Sequence, residues 1–76
     1  MKYIIFEAET GLRYPVIFSI IIKHSTMSNK IKDKTISAGF CKIFNGKIQC
    51  YGQSVSLNLH CNIGDADLLN IDLIDI

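Results

Sequence analysis

Apolar and polar positions alternate in several short segments of this 76-residue chain, and that alternation predicts β-strands. The β-branched and aromatic segment 2–8 predicts a first strand. "VIF" after Pro15 predicts a short second strand or a sheet edge, where a missing N–H is tolerated. Segments 34–44 and 47–51 predict two further strands. Segment 54–60, where Val, Leu and Leu alternate with Ser, Asn and His, predicts a half-buried strand.

Two segments leave helix and strand open. In 19–31, Ser19 is placed to cap a short helix, while the alternative extends the second strand to Lys23; we favour a helical turn near His24. In 65–76, the acidic start favours a helix with Asp65 as its N-cap. That helix would carry on one face Ala66, Leu69, Leu73 and Ile76. Leu69, Ile71 and Leu73 also alternate as a strand would.

These elements predict a small α+β domain spanning residues 1–76, with an antiparallel sheet, a hairpin at 35–51 and a short C-terminal helix. The hairpin is the firmest element, because Asn45-Gly46 is a strong signal for a two-residue type I′ turn. A two-residue loop fixes the register of the paired residues: Phe44 with Lys47, Ile43 with Ile48, Lys42 with Gln49, Cys41 with Cys50, and Phe40 with Tyr51.

The strand period of two divides this hairpin into two faces. The first face is small and apolar: Gly39, Cys41, Ile43, Ile48, Cys50 and Gly52. The second face is aromatic and cationic: Phe40, Lys42, Phe44, Lys47, Gln49 and Tyr51. Aromatic rings stack on bases and lysines pair with phosphates, so this face suits a nucleotide. The alternative is a second apolar layer against a helix or subunit, with lysine stems lying over it.

Small residues and hydroxyls lie on neighbouring predicted strands, and short hydroxyls and exposed N–H groups suit a phosphate. Tight packing across a dimer interface is the alternative. With His24 as a residue that closes the site, the candidate ligand-binding set is His24, Ser37, Ala38, Gly39, Phe40, Tyr51, Gly52, Ser54 and Ser56. One conflict stays open, because Ala38, Phe40 and Tyr51 share a face in a flat sheet while Ser37 and Gly39 point away. A bulge at Gly52 or a site at the strand ends would reconcile them.

Catalytic and metal chemistry find little support. "GQSVS" lacks the last glycine of a nucleophile elbow, and a strand rather than a helix is predicted to follow it. Cys41, Cys50 and Cys61 show no C-x-x-C spacing, so we expect no metal and no cofactor. Cys41 and Cys50 face each other, which permits a disulfide, but free thiols acting as small apolar residues are favoured. We expect a protein that is not an enzyme.

The composition bears on the oligomeric state. Hydrophobic residues make up 49% of the chain and charged residues 20%, which is more apolar material than so short a monomer hides easily. We therefore expect a homo-oligomer, most simply a dimer. A monomer with an apolar surface is the alternative.

The net charge and the length of the apolar runs limit the classes of partner that we expect. The net charge of +1 argues against duplex nucleic acid, and the apolar run 16–23 is too short to cross a bilayer. We expect a cytoplasmic protein, since no signal peptide is evident and the odd cysteine count suits a reducing compartment.

Five short motifs resemble a group of small proteins encoded by phages and mobile elements: "YPVIF", "KHS", "SAGFCKI", "CYGQSVSLNL" and "DADLLN". The resemblance covers Tyr14 to Asn70. Phage proteins of this size include sponges that sequester the cyclic nucleotide signals of host defence systems, among them cyclic dinucleotides of the CBASS type. The resemblance implies that the signal is bound at an oligomer interface and is not cleaved. The chain lacks a cluster of basic residues near the expected site, where only Lys42, Lys47 and Lys23 are available.

The leading hypothesis is therefore a cytoplasmic, dimeric binding protein that sequesters a small nucleotide signal such as a cyclic dinucleotide and counters host defence without catalysis. Phe40 or Tyr51 would stack on a base, while hydroxyls would contact phosphate or ribose. The alternative is a small oligomeric protein–protein interaction module with no small-molecule ligand.

Overall fold

A computed structural model describes the backbone of residues 1–74 and the side chains of residues 1–71. The order of elements is β1 (Lys2–Glu7), β2 (Arg13–Phe18), α1 (His24–Asn29), β3 (Lys34–Phe44), β4 (Lys47–Tyr51), β5 (Gln53–Ser54), β6 (Leu59–His60) and α2 (Asp65–Ile74). The first four strands form an antiparallel sheet in the order β2-β1-β3-β4, and β5 pairs with β6. The predicted α+β class, with its hairpin and C-terminal helix, is confirmed.

The β3–β4 hairpin has the predicted register from Phe40–Tyr51 through Cys41–Cys50 to Phe44–Lys47. Asn45 and Gly46 both have positive φ, at 51° and 77°, as a type I′ turn requires. All three cysteines are free thiols.

β1 is a central strand, and its apolar side chains are buried on both faces of the sheet. Tyr3 and Ile5 point to one face, where Leu69 of α2 packs with them. Ile4 and Phe6 point to the other face, towards Phe18 and the partly buried side chains of α1 and of the β5–β6 segment. The domain is thus a sheet between two apolar layers, and each layer is small.

A β-bulge interrupts the pairing of β1 with β3. Ile5 pairs with Ser37 and Phe6 pairs with Thr35, so Ile36 is the extra residue. Ile36 packs on the α2 side of the sheet, in the same layer as Ile5.

Segment 54–60 is not the single half-buried strand that its alternation predicts. Residues 55–58 form a turn between β5 and β6, and Val55 is 83% exposed. The Ser54 hydroxyl accepts a hydrogen bond from the Leu57 N–H at 3.3 Å, and the Asn58 N–H donates to the Val55 carbonyl. Asn58 has a φ of 54°, a left-handed value that ends the extended backbone. Local hydroxyl bonding therefore overrides the hydrophobic alternation.

Each of the two ambiguous segments contains a helix. α1 begins at His24, and Ser19 caps no helix; its hydroxyl accepts from the Ile21 N–H in a turn. α2 begins at Asp65, with acidic Asp65 and Asp67 in its first turn. Leu69 is fully buried, as predicted. Of the predicted apolar face, Ile76 and the side chain of Leu73 lie outside the described residues.

Candidate ligand-binding face

The second face of the hairpin forms an open surface, which we call the aromatic–lysine face: Phe40, Lys42, Phe44, Lys47, Gln49 and Tyr51. Five of these side chains are exposed and Phe40 is half-buried. The rings of Phe40 and Tyr51 stack with their centroids 5.9 Å apart and their planes at 25°. Lys42 Nζ lies 5.6 Å from the centroid of the Tyr51 ring. Tyr51 is thus backed by one ring, flanked by a cation and still 48% exposed.

A row of side chains runs across all four strands at this position. Lys2 of β1 pairs with Phe18 of β2 on one side and with Phe40 of β3 on the other, and Phe40 pairs with Tyr51. Because directly opposite residues share a face, these four side chains lie in one line over the sheet. The row passes from buried Phe18 to exposed Tyr51, so it connects the apolar layer to the open surface.

His24 lies on this row, between its two phenylalanines. Its ring meets Phe18 edge-on at 5.5 Å and Phe40 edge-on at 5.7 Å. Its Nε2 is 2.8 Å from the Gly39 carbonyl oxygen, and we assign the donor role to the ring. Only 5% of the residue is exposed. His24 therefore packs against Phe40 inside the domain and does not close an open site.

Two glycines let the chain pass close to this row. A Cβ on Gly39 would lie 2.7 Å from the Tyr51 carbonyl oxygen, so that position has no room for a side chain. Gly52 has a φ of +75°, and a Cβ there would meet the Phe40 ring at 3.1 Å. The chain turns at Gly52, which places Tyr51 at the end of β4. His24, Gly39, Phe40, Tyr51 and Gly52 are thus brought together.

The remaining predicted residues do not join them. Ala38 is fully buried in the layer that contains Ile4 and Phe6, and Ser37 is fully buried beside Ile5 on the opposite face. The Ser37 hydroxyl has no hydrogen-bond partner among the described residues. The face conflict noted in the sequence is therefore real, and the bulge in β3 does not remove it.

Ser54 and Ser56 belong to the β5–β6 turn. The Ser54 hydroxyl is buried, accepts from the Leu57 N–H and lies 3.4 Å from the Ser56 hydroxyl. Of the two histidines, His24 bonds to the Gly39 carbonyl and His60 Nδ1 bonds to the Cys61 carbonyl at 2.9 Å. Neither of these bonds activates a serine, so Ser54 acts as a turn residue.

A polar group that the sequence did not reveal lies on the α2 side of the sheet. The Tyr3 hydroxyl donates to Asp65 Oδ2 at 2.6 Å, and the Asn62 N–H donates to the same oxygen at 3.0 Å. Burial, with the Asp65 carboxylate beside it, raises the pKa of Tyr3 well above its usual range. Burial raises the pKa of Cys50 to about 12, and the neighbouring Cys61 thiol adds to that shift. Both groups are therefore neutral at pH 7.

These polar groups do not form a metal centre. Within residues 1–71, no three His, Cys, Asp or Glu side chains converge in a way that could hold a metal ion. In the described part of the chain, no helix has the length and apolar character needed to span a membrane.

No protein-family model, curated protein or solved structure matches this chain.

Proposed function

We propose that this chain binds a small nucleotide signal, of the cyclic dinucleotide kind, on the aromatic–lysine face and sequesters it without turnover. The observation that carries the proposal is the Tyr51 ring, which stacks with Phe40, lies under the Lys42 ammonium and is still 48% exposed. In a phage-encoded protein such sequestration, in the host cytoplasm, would counter defence signalling. The resemblance of the sequence motifs to small phage proteins agrees with this role.

Each side chain of the face has a distinct task in this proposal. A base stacks on the exposed part of the Tyr51 ring, a contact worth ~1–3 kcal/mol per base. Lys42, two residues along β3 from Phe40 on the same face, and Lys47 attract phosphate. Gln49 lies directly across from Lys42 and offers an amide to a base edge. Phe44 is a second exposed ring, 54% accessible, for a second base.

This assignment narrows the set of residues expected to touch ligand. Tyr51 makes direct contact, and Phe40, His24, Gly39 and Gly52 position it. Ser37, Ala38 and Ser54 are buried, so they are not among the contacts. Ser56 is exposed in the neighbouring turn and is left without a role.

A dimer would strengthen binding at this face. One copy offers an open surface, which contacts only one side of a base. A second copy facing the first would cover the other side and exclude water from the lysine–phosphate pairs. A two-fold symmetric ligand would then meet two identical half-sites, which matches the oligomer expected from the composition.

Native mass spectrometry of the protein with a panel of cyclic mono-, di- and trinucleotides tests the proposal. We expect a discrete oligomer that gains the intact mass of one ligand class. Tyr51→Ala should remove that gain. Ile43→Ala is the matched control, because Ile43 is exposed on the opposite face of the same hairpin. A panel that gives no mass gain, or Y51A binding as well as the natural protein, would overturn the nucleotide assignment.

Exposed apolar side chains on both faces of the hairpin tip favour a second candidate, a protein-interaction module. Phe44 and Ile43 are 54% and 61% exposed on adjacent positions. In that case the aromatic–lysine face would contact another subunit or a partner protein. Phe40→Ala separates the two candidates, because it should abolish ligand binding with the oligomer intact in the first and abolish assembly alone in the second.

A further inference from the structure

The outer edge of β4 is bonded to a side chain of α2. The Ile48 N–H donates to Asn70 Oδ1 at 2.9 Å, and Asn70 Nδ2 donates to the Ile48 carbonyl at 3.1 Å. Both backbone groups of Ile48 therefore point away from β3. The Asn70 amide makes the same pair of hydrogen bonds that a neighbouring strand would make. Asn70 Nδ2 also donates to the Ala66 carbonyl within α2, at 2.8 Å, which fixes the orientation of the amide.

An unprotected edge strand is a template for pairing with another chain, and folded proteins block such edges. This sheet has two outer strands, β2 and β4. β2 contains Pro15, which supplies no N–H for a new ladder. β4, "KIQCY", has no proline, is rich in residues that favour strands and carries one charge. Asn70 is the protection that the described residues give to β4 at Ile48.

We propose that the outer edge of β4 is an interface for β4 of a second copy of this chain, and that Asn70 holds it closed. The contact is autoinhibitory, because the amide occupies the backbone groups that the second copy would use. Release of Asn70 opens the edge. This inference goes beyond the proposed function and does not depend on nucleotide binding.

The strand is compatible with its own copy. An antiparallel pairing centred on Gln49 places Ile48 opposite Cys50 of the second copy, and Lys47 opposite Tyr51 of the second copy. Apolar groups then meet on one face. On the other, a lysine meets an aromatic ring and no like charges are opposed. The two aromatic–lysine faces would become one continuous surface.

Asn70→Ala removes both bonds to Ile48, and Asp67→Asn is the matched control, since Asp67 is exposed on the same helix. Native mass spectrometry and light scattering across a concentration series give the particle mass, and amide hydrogen exchange reports on Ile48. We expect N70A to double the particle mass of the natural protein, with its Ile48 amide protected in the larger particle. D67N should keep the natural mass.

Three results would overturn the inference. The first is an N70A protein that keeps the natural mass at every concentration. The second is a larger particle whose Ile48 amide exchanges freely, because association would then use another surface. The third needs no variant: an Ile48 amide that exchanges as fast as an exposed one in the natural protein. Should N70A fail to fold, the third result still decides, because it is measured on the natural protein.

Discussion

The Tyr3 hydroxyl donates a 2.6 Å hydrogen bond to Asp65 Oδ2 and thereby joins the central strand β1 to the first residue of α2. Both residues are buried, and they are 62 positions apart in the chain. The same carboxylate oxygen accepts from the Asn62 N–H, so the loop before α2 is held as well. Attachment of the helix therefore depends on a polar contact in addition to the apolar packing of Leu69.

Tyr3→Phe should lower the free energy of unfolding by about 1–3 kcal/mol, because a buried carboxylate loses one of its donors. Tyr51→Phe is the control. It removes a hydroxyl from an exposed ring, so its effect should stay within about 0.5 kcal/mol. Urea denaturation measures both. Equal stabilities of Y3F and Y51F would show that the bond to Asp65 contributes nothing.

The second prediction concerns alkaline pH. Burial raises the pKa of Cys50 from 9.0 to about 12, so the folded chain holds this proton more tightly than the unfolded chain does. Its contribution is therefore present below pH 9.0 and is lost as pH rises towards about 12. The free energy of unfolding should fall in that window, by at most about 1.4 kcal/mol per pH unit for this group.

Cys50→Ala should show a shallower decline with pH, whatever its stability at pH 7. Urea denaturation of both proteins at several pH values across the window gives the two slopes. Tyr3, whose pKa is raised mainly by burial and by Asp65, contributes to both slopes, and C50A removes only the small part of that shift that Cys50 causes. Identical slopes in the natural protein and C50A would rule out Cys50 as a source of the pH dependence.

A third prediction tests the close approach at Gly39. Gly39→Ala places a methyl group 2.7 Å from the Tyr51 carbonyl oxygen, so β3 and β4 must separate. Overpacking of this kind costs typically 1–3 kcal/mol, and we expect that loss in denaturation experiments. Ile21→Ala is the comparison, because Ile21 is 87% exposed and shortening its side chain should change the stability little. G39A as stable as I21A would show that the approach is not tight in solution.

The hairpin could be predicted from the sequence because two local rules agree there. Asn45-Gly46 selects a turn with positive φ at both positions, and the strand period then assigns each side chain to a face. The aromatic–lysine face follows directly. The row of side chains that continues this face across the sheet could not be predicted. It depends on the pairing of Lys2 with both Phe18 and Phe40, and so on strand order, which no local pattern encodes.

The serines show where pattern reasoning failed. Ser54 and Asn58 satisfy the backbone locally, so a turn forms where alternation predicts a strand. Ser37 is adjacent to a bulge whose position is set by pairing with β1. Residue type suggested phosphate contacts for both serines, but burial decides against them. The contact of Asn70 with the edge of β4 could not be predicted, because nothing in the sequence indicates that an amide side chain of α2 bonds to a strand.

The fourth prediction separates the two contributions of His24. His24→Phe keeps a ring between Phe18 and Phe40 but removes the hydrogen bond to the Gly39 carbonyl, so the loss should be about 1–3 kcal/mol. His24→Ala also removes the ring and should cost more, because a cavity remains. His60→Phe, at an exposed position, serves as the control. A ranking in which H24F is as stable as the natural protein would assign the whole role of His24 to packing.

The last prediction concerns the lysines and rests on the proposed nucleotide ligand. Lys42→Gln should weaken binding by about 1.5–3 kcal/mol, the range for a hydrogen bond to a charged group, because a phosphate loses its cation. Lys42 also lies over the Tyr51 ring, so Lys47→Gln should have the smaller effect. Lys34→Gln is the control, since Lys34 pairs with Glu7 at the far end of β1 from Lys2 and Phe40. Calorimetry with the nucleotide identified by mass spectrometry measures the binding affinity of all three variants, at low and high salt.

Added salt should weaken nucleotide binding by the natural protein more than binding by K42Q, because screening acts on a charge that K42Q lacks. Equal salt dependence in the two proteins would mean that Lys42 does not contact the phosphate.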